Sequence, residues 1–314
     1  MVERRLRVYR WSTIMKNPLH YIQKYQHRTK QILGIDYKQF LELVQPAQLR
    51  HKERQALLSR KKIRLVAAGG GRKPKLTVVE EICLCLFYLR QMPTFEILGM
   101  QFGISKTEAN DTFHYWLLIL REVLPASLLE QVENPSSDSA IVQEILTEFE
   151  LIVDSYEQPR ERPTDNKEQQ EYFSGKKKRH TLKNQVISLP NAKDIVDVVV
   201  GEKGRISDIS LFRNQMAKFA PAQSFQGDKA YIGGKNISTP HKKPRNRELT
   251  TAQKAENKLF SGERIFVEHL IRLIKIFRIA SERFRLHSQV YEQIILTVCG
   301  LVRLRIGSFI LPTS

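Results

Sequence analysis

The feature that most constrains the fold of this chain is a change in the spacing of its apolar residues near residue 149. Before that point, apolar residues recur every three or four positions, which is typical of helices. After it, residues 149–154 are typical of a buried strand that ends in a carboxylate, and strand-like segments follow at 178–187, predicted to be half-exposed, and at 195–200. The spacing therefore predicts a helical region followed by an α/β region.

The later segments predict how that α/β region is organised. The third strand is followed by an amphipathic helix at 208–219, strands at 223–228 and 237–240, and a long helix around 251–280. Three successive strands, a helix, two shorter strands and a closing helix describe an α/β domain with a mixed sheet. This order matches that of a ribonuclease H-like fold.

Three predicted helices precede that domain, with a further one at 140–150. The first, at 76–91, is strongly apolar, and Thr94 caps the second, at 95–102. A glycine-containing turn leads into the third helix, at whose start Ser105 and Glu108 have the spacing of a capping box. This is helix-turn-helix geometry, with an ordinary three-helix bundle as the alternative. We expect Lys106 of the third helix to contact DNA. The acidic residues on that helix make the helix a poor surface for phosphates.

Positive charge is concentrated at the start of the chain. The net charge is +18, and residues 1–75 hold nineteen Lys and Arg against four Asp and Glu. An excess of this size predicts a polyanionic partner, and nucleic acid is favoured. A second basic run, Lys176, Lys177, Lys178 and Arg179, falls between the first two predicted strands. We expect it to contact the DNA backbone, with a solvated hairpin as the alternative.

Cysteine placement and hydropathy predict a soluble cytoplasmic protein. Cys83, Cys85 and Cys299 lie in apolar helical stretches without a CxxC pair or a histidine at metal-ligand spacing. We therefore expect buried, reduced thiols and neither disulfides nor zinc. The basic N-terminus has no apolar core behind it, and Arg303 and Arg305 interrupt the last apolar stretch. These features argue against a secretion signal and a membrane span.

Three carboxylates fall at positions where such a fold would gather them. Asp154 ends the first predicted strand and Asp228 ends the fourth. Ligands collect beyond the carboxyl ends of strands, so the two can converge if their strands are neighbours. Glu268, on the long helix, would add a third oxygen ligand. This set suits Mg²⁺, with Mn²⁺ as a substitute, and two such ions would support cutting or joining of DNA strands. Taken singly, each aspartate could equally be a turn residue or a helix cap.

Residues 261–279 surround that glutamate. Wound as a helix, they place Arg264, Glu268 and Lys275 within an arc of about 40°. The opposite side would face a core with Phe266, Val267, Leu270, Leu273, Ile274 and Phe277. A surface ion pair between Arg264 and Glu268 on an ordinary amphipathic helix is the simpler alternative. The two upstream aspartates favour the metal site.

In the sequence around these acids, the chain resembles the DDE transposases of bacterial insertion sequences. The similarity is to the insertion-sequence-five-like group among the DDE superfamily endonucleases, and it covers about 76–280. Asp154 precedes a Glu-Arg-Pro tail, Asp228 lies in Gly-Asp-x-x-Tyr, and Glu268 follows an arginine at four positions and precedes a lysine at seven. The resemblance implies that these acids are the catalytic, metal-binding triad. It also implies that Arg264 and Lys275 contact transposon-end DNA.

The same resemblance implies a DNA transposase that cleaves transposon ends and transfers strands into target DNA. Its expected domains are a basic helical region with a glycine-rich linker at 1–75, a helix-turn-helix domain at 76–140 and the catalytic domain at 141–314. Its expected partners are terminal inverted repeats, target DNA and further copies of itself. Two alternatives remain open: a non-catalytic DNA-binding repressor or domesticated relative, and a ribonuclease H-like DNA endonuclease without strand transfer.

Overall fold

The computed structural model describes residues 17–61, 73–133 and 138–308. The glycines of the predicted linker and the first sixteen residues lie outside these ranges. The helices before the sheet are α1 (Pro18–Lys24), α2 (Thr29–Leu33), α3 (Tyr37–Lys61), α4 (Val78–Gln91), α5 (Phe95–Phe102), α6 (Lys106–Val123), α7 (Leu128–Glu133) and α8 (Asp138–Leu146). The helix predicted at 140–150 is α8, which ends four residues earlier than expected.

Local signals set the ends of the three helices that form the predicted helix-turn-helix. Thr77 caps α4, so this helix begins two residues later than predicted. The Thr94 hydroxyl caps α5, and Gly103 ends it in the left-handed conformation with a φ of 69°. Ser105 and Glu108 form the predicted capping box at the start of α6. The predicted order of helix, tight turn and helix is confirmed.

A mixed sheet and its helices form the rest of the protein. The elements are β1 (Leu151–Pro159), α9 (Asn166–Tyr172), β2 (Phe173–Ser174), β3 (Arg179–Ser188), β4 (Ile195–Lys203), α10 (Asp208–Gln215), β5 (Phe225–Gln226), β6 (Ile237–Ser238), α11 (Thr251–Lys275) and α12 (Tyr291–Ile306). The main strands lie in the order β4-β3-β1-β5-β6, and β2 pairs with the start of β3. β3 is antiparallel to β1 and β4, whereas β5 is parallel to both β1 and β6. This is the ribonuclease H-like arrangement that the sequence predicts.

β5 and β6 are two residues long where strands were predicted at 223–228 and 237–240, so Asp228 lies beyond β5 and not at its end. Two other strands differ from their predicted form. β1 does not end at Asp154, because its antiparallel pairing with β3 continues until Pro159 lies opposite Thr181. β3 is buried along most of its length rather than half-exposed. It lies between β1 and β4. Asn184 of β3 donates a hydrogen bond to the Tyr291 hydroxyl of α12. Strand pairing and helix packing, which are not local, cause both differences.

Apolar side chains cover both faces of the sheet. One large cluster joins Phe40 of α3 and Trp116 of α6 to Val186 of β3 and Val298 of α12. A smaller cluster contains Val153 of β1 together with residues of α10 and β5. Side chains alternate along a strand, so the neighbour of Val153, Asp154, is directed to the face of the large cluster.

The most apolar late segment is α12, which is packed in the core. Arg303 within it is fully buried and donates to both carboxylate oxygens of Asp194, at 2.7 and 2.8 Å. It also donates to the carbonyl oxygens of Pro125 and Ser127, which ties the end of α12 to the segment before α7. Across the described ranges, no helix is long and apolar enough to cross a lipid bilayer.

Candidate active site

Asp154 and Asp228 occupy matching positions on two neighbouring chain segments. β1 and β5 pair in parallel, with Ile152 opposite Gln226. Each aspartate comes two residues after that pair. Adjacent strands lie about 4.8 Å apart, and residues two positions apart share a face. The register therefore brings the two aspartates to the same level and the same side of the sheet.

A buried polar network anchors the loop that carries Asp228. The aspartate caps the short 3₁₀ turn that follows it. That turn ends at the fully buried Tyr231, whose hydroxyl lies 2.8 Å from the Ser155 hydroxyl. Gln185 of β3 donates to the same tyrosine oxygen at 3.0 Å. Tyr231 thus ties the Asp228 loop to the residue that follows Asp154.

Helix α11 places Arg264 and Glu268 beside Asp154. The Arg264 Nη2 atom is 4.0 Å from Asp154 Oδ2 and 3.4 Å from Glu268 Oε1. The Arg264 side chain is 17% exposed, whereas that of Glu268 is 58% exposed. The guanidinium therefore lies between two of the three predicted ligands. The ion pair between Arg264 and Glu268, which was the simpler alternative for these residues, is also present.

The orientation of α11 corrects one prediction. Arg264 was expected opposite the apolar stripe, but it follows the same helical stripe as the buried Val267, Ile271 and Ile274. Phe266, expected in the core, is instead 37% exposed. The reason is that α11 packs its 264–271–274 side onto the sheet, next to Asp154. The predicted charged arc thus borders the buried side of the helix and was wrongly placed opposite it.

The environment of Asp154 disfavours its charged form. Burial raises the pKa of this carboxyl group to about 6, chiefly through desolvation. A hydrogen bond from the Ser155 amide, at 2.8 Å, and the positive charge of Arg264 act in the opposite direction. The charges of Asp228 and Glu268 raise the pKa further. The three acids therefore repel one another electrostatically, and a divalent cation would relieve that repulsion.

The residue types of these three acids suit a metal ion, but their side chains are not gathered closely enough to hold one. Three carboxylates without a thiol or imidazole form the ligand set that Mg²⁺ and Mn²⁺ prefer. Within the described ranges, however, no group of three or more His, Cys, Asp and Glu side chains is close enough to hold a metal ion. In this structure the positive charge beside Asp154 and Glu268 comes from the guanidinium of Arg264.

Lys275, the last residue of α11, lies between the acids and the basic turn. Its Nζ atom is 5.1 Å from the centre of the Tyr156 ring, in a cation–π arrangement. Burial lowers the pKa of Lys275, and the charge of Lys177 lowers it further, while the charge of Asp154 raises it. Lys275 is therefore close enough to both groups to sense their charges.

The other predicted DNA-contacting residues are exposed. Lys176, Lys177 and Lys178 form the turn between β2 and β3, and Arg179 begins β3. Lys106 is the exposed first residue of α6, in the helical region. The turn lies near Lys275 and hence near the acids, whereas Lys106 belongs to the helix-turn-helix.

Sequence reasoning missed the polar residues that hold the acids in place. Ser155 could have been noticed, because it directly follows Asp154. Gln185 gave no sequence signal, since its place opposite Ser155 depends on the register of β1 and β3. The same is true of the hydrogen bond from Gln226 Nε2 to Glu263 Oε2, at 2.6 Å, which joins the end of β5 to α11.

Comparison with protein families and curated proteins identifies relatives of this chain. Residues 153–303 match the family described as DDE superfamily endonuclease, and residues 74–126 match the helix-turn-helix of DDE superfamily endonuclease. A protein of Microchaete diplosiphon, named "Probable transposase for insertion sequence element IS702", is 33% identical over 222 residues. That alignment covers 68% of this chain and 76% of the relative.

Solved structures give weaker matches. A Mos1 transposase paired-end complex with the left transposon end is 11% identical, with 74% of this chain and 88% of that chain covered and a TM-score of 0.18. A mariner Mos1 paired-end complex with Mg is 9% identical over the same shares, also with a TM-score of 0.18. These structures superpose too poorly on this chain to bear on its site.

Proposed function

This chain belongs to the DDE superfamily of insertion-sequence transposases, and we propose that it uses Mg²⁺ to cleave transposon ends and transfer the cut strands into target DNA. The observation that carries this proposal is the matched position of Asp154 and Asp228, each two residues beyond the last pair between β1 and β5. Glu268 of α11 lies near Asp154, because Arg264 is a neighbour of both carboxylates.

Asp154, Asp228 and Glu268 are the residues that would hold the metal. A bound Mg²⁺ pair would activate a water or a 3′-hydroxyl and stabilise the leaving oxygen. The raised pKa of Asp154 supports this role, because its carboxylate gains more from a nearby cation than an exposed one would. Mn²⁺, with the same preference for oxygen ligands, would substitute.

The cations around the acids would bind DNA phosphates. Arg264 and Lys275 lie beside Asp154, and the exposed Lys176–Lys178 turn and Arg179 extend the positive charge outward. Such contacts position the DNA without reading its sequence. The helix-turn-helix, including Lys106, would bind the terminal repeats. The family resemblance supports a homo-oligomer that acts in the cytoplasm on paired ends.

A cleavage and strand-transfer assay tests the catalytic role of the acids. The substrate is DNA that carries the cognate terminal repeats, with Mg²⁺ present. We expect Asp154→Ala and Glu268→Gln to abolish both activities while the proteins still bind the DNA. Glu256→Gln is the matched control, because Glu256 lies on the same helix with a side chain that is 55% exposed. Full activity of Glu268→Gln would show that the mechanism is wrong.

A further inference from the structure

A cleft lies beyond the far end of β1, away from the three acids. Its volume is about 860 Å³, and it opens between α9, the β2–β3 hairpin and the turn after β4. The cleft is lined by the cations Arg162 and Arg205, by His180, by the ring of Phe173 and by the amide side chains of Gln169 and Gln170. No carboxylate is among the described residues that line it. The cleft therefore has positive charge, an aromatic surface and hydrogen-bonding amides.

The fold holds Arg205 at this cleft. A Cβ atom on Gly204 would lie 2.2 Å from the Thr181 hydroxyl oxygen, so only glycine allows the turn to approach β3 this closely. The Arg205 amide then donates to the Glu171 carbonyl oxygen at 3.1 Å. The Glu171 carboxylate is itself paired with Lys203 at 2.6 Å. Lys203 thus compensates the negative charge of Glu171, and Arg205 stays exposed.

Arg162 is held in a defined orientation on the opposite side. Its Nε and Nη2 atoms donate to Gln169 Oε1, at 3.0 and 2.7 Å. Gln169 in turn donates to the Pro163 carbonyl oxygen at 2.9 Å. A guanidinium that is already oriented loses less conformational entropy when it binds a phosphate.

Two rings form the aromatic part of the cleft. The Phe173 residue is 42% exposed, and its ring meets His180 edge to face, with centroids 5.7 Å apart. Desolvation lowers the pKa of His180, and the charges of Arg162 and Arg160 lower it further. The imidazole is therefore neutral at neutral pH. An exposed aromatic ring supported by a neutral ring is a surface on which a flat base can stack.

We propose that this cleft binds an unpaired segment of a DNA strand, with a base stacked on Phe173 and the backbone phosphates on Arg162 and Arg205. Proteins that bind single strands combine an aromatic platform with a positive groove in this way. A duplex cannot use the platform, because its bases are already stacked and paired. The inference rests on the proposed function, since DNA processing supplies the unpaired strand.

The position of the cleft agrees with that use. Arg160, one residue past the end of β1, follows Asp154 by six residues, and its amide donates to the carbonyl oxygen of His180, which lines the cleft. At about 3.3 Å per residue, the cleft begins about 20 Å from the acids. This distance corresponds to roughly six nucleotides at the duplex spacing of about 3.4 Å per step, and to fewer in an extended single strand. A strand that leaves the catalytic acids can therefore reach the cleft past the basic turn.

Fluorescence anisotropy tests this site directly. The probes are a labelled 20-nucleotide single strand and the matching duplex, and the full chain is measured in EDTA, so that the result does not depend on metal or cleavage. We expect Phe173→Ala to weaken single-strand binding roughly five- to a hundredfold, because one stacked base is lost. Duplex binding should change less than about twofold. Phe173→Trp, which keeps a ring, should retain single-strand affinity.

The matched control is Phe149→Ala, because Phe149 is 38% exposed but does not line the cleft. The proposal is overturned if Phe173→Ala leaves single-strand affinity unchanged, if Phe149→Ala lowers it equally, or if duplex binding falls by the same factor. These outcomes are independent of the cleavage assay. Full activity of Glu268→Gln in that assay, or no cleavage by the unaltered chain, would overturn the proposed function without affecting this result.

Discussion

Replacement of Asp154 with asparagine is expected to stabilise the metal-free protein at pH 8 while it removes DNA cleavage. The carboxyl group is held in a desolvated place near two other acids, and its pKa is raised from 3.8 to about 6. A raised carboxyl pKa means that the folded state binds the proton more tightly than the unfolded state. The stability from this group is therefore fully present below about pH 3.8. It is lost as the pH rises to about 6.

The size of the effect follows from the shift. Each pKa unit corresponds to about 1.36 kcal/mol, so a shift of roughly two units costs the wild type up to about 3 kcal/mol above pH 6. Asparagine is neutral at every pH and avoids this cost. Arg264 loses one partner in the variant but keeps Glu268 at 3.4 Å. We therefore expect a gain of about 2 to 3 kcal/mol at pH 8 and only about 1 kcal/mol at pH 4.5.

Urea unfolding in EDTA at the two pH values measures this gain. Asp111→Asn is the control, because Asp111 is exposed on α6 and its replacement should change the free energy of unfolding by less than about 0.5 kcal/mol. A loss of stability in Asp154→Asn at pH 8, or an equal gain at both pH values, would refute the reasoning. Either result would mean that the charge of Asp154 is not an electrostatic cost to the fold.

Two further predictions concern charged residues with defined partners. Asp194→Ala should lower the free energy of unfolding by about 3 to 5 kcal/mol, because it removes the carboxylate that binds the fully buried Arg303. Glu42→Ala, which removes an exposed ion pair, is the control and should lower the free energy of unfolding in urea by less than about 1 kcal/mol. A similarly small loss in Asp194→Ala would contradict the prediction. Arg264→Gln should weaken anisotropy-measured binding to transposon-end DNA, while calorimetry still detects Mn²⁺ binding. The control is Arg272→Gln, exposed on the same helix, and loss of Mn²⁺ binding by Arg264→Gln alone would show that Arg264 shapes the metal site.

The parts of the fold that depend on local chemistry could be predicted from the sequence. Thr94, Gly103 and Ser105 act within one or two turns of their own helices, and the structure confirms each of these ends. The order of the strands along the chain also follows from local apolar patterns. The order of elements that is typical of a ribonuclease H-like fold could therefore be predicted from the sequence.

The remainder depends on contacts between distant segments. Asp154 was expected at a strand end, but the pairing of β1 with β3 carries the strand past it. Phe266 was expected in the core, but the sheet packs against another side of α11. Gln185 acquires its role only when β3 aligns it with Ser155. Neither pairing register nor the choice of helix face is encoded within a single segment.

A crystal structure of the chain with end DNA and Mn²⁺ tests the central claim most directly. Anomalous scattering locates the metal independently of the protein coordinates. We expect peaks bounded by carboxylate oxygens of Asp154, Asp228 and Glu268, next to a DNA phosphate. Peaks at other protein ligands in a complex that cleaves its DNA would contradict it.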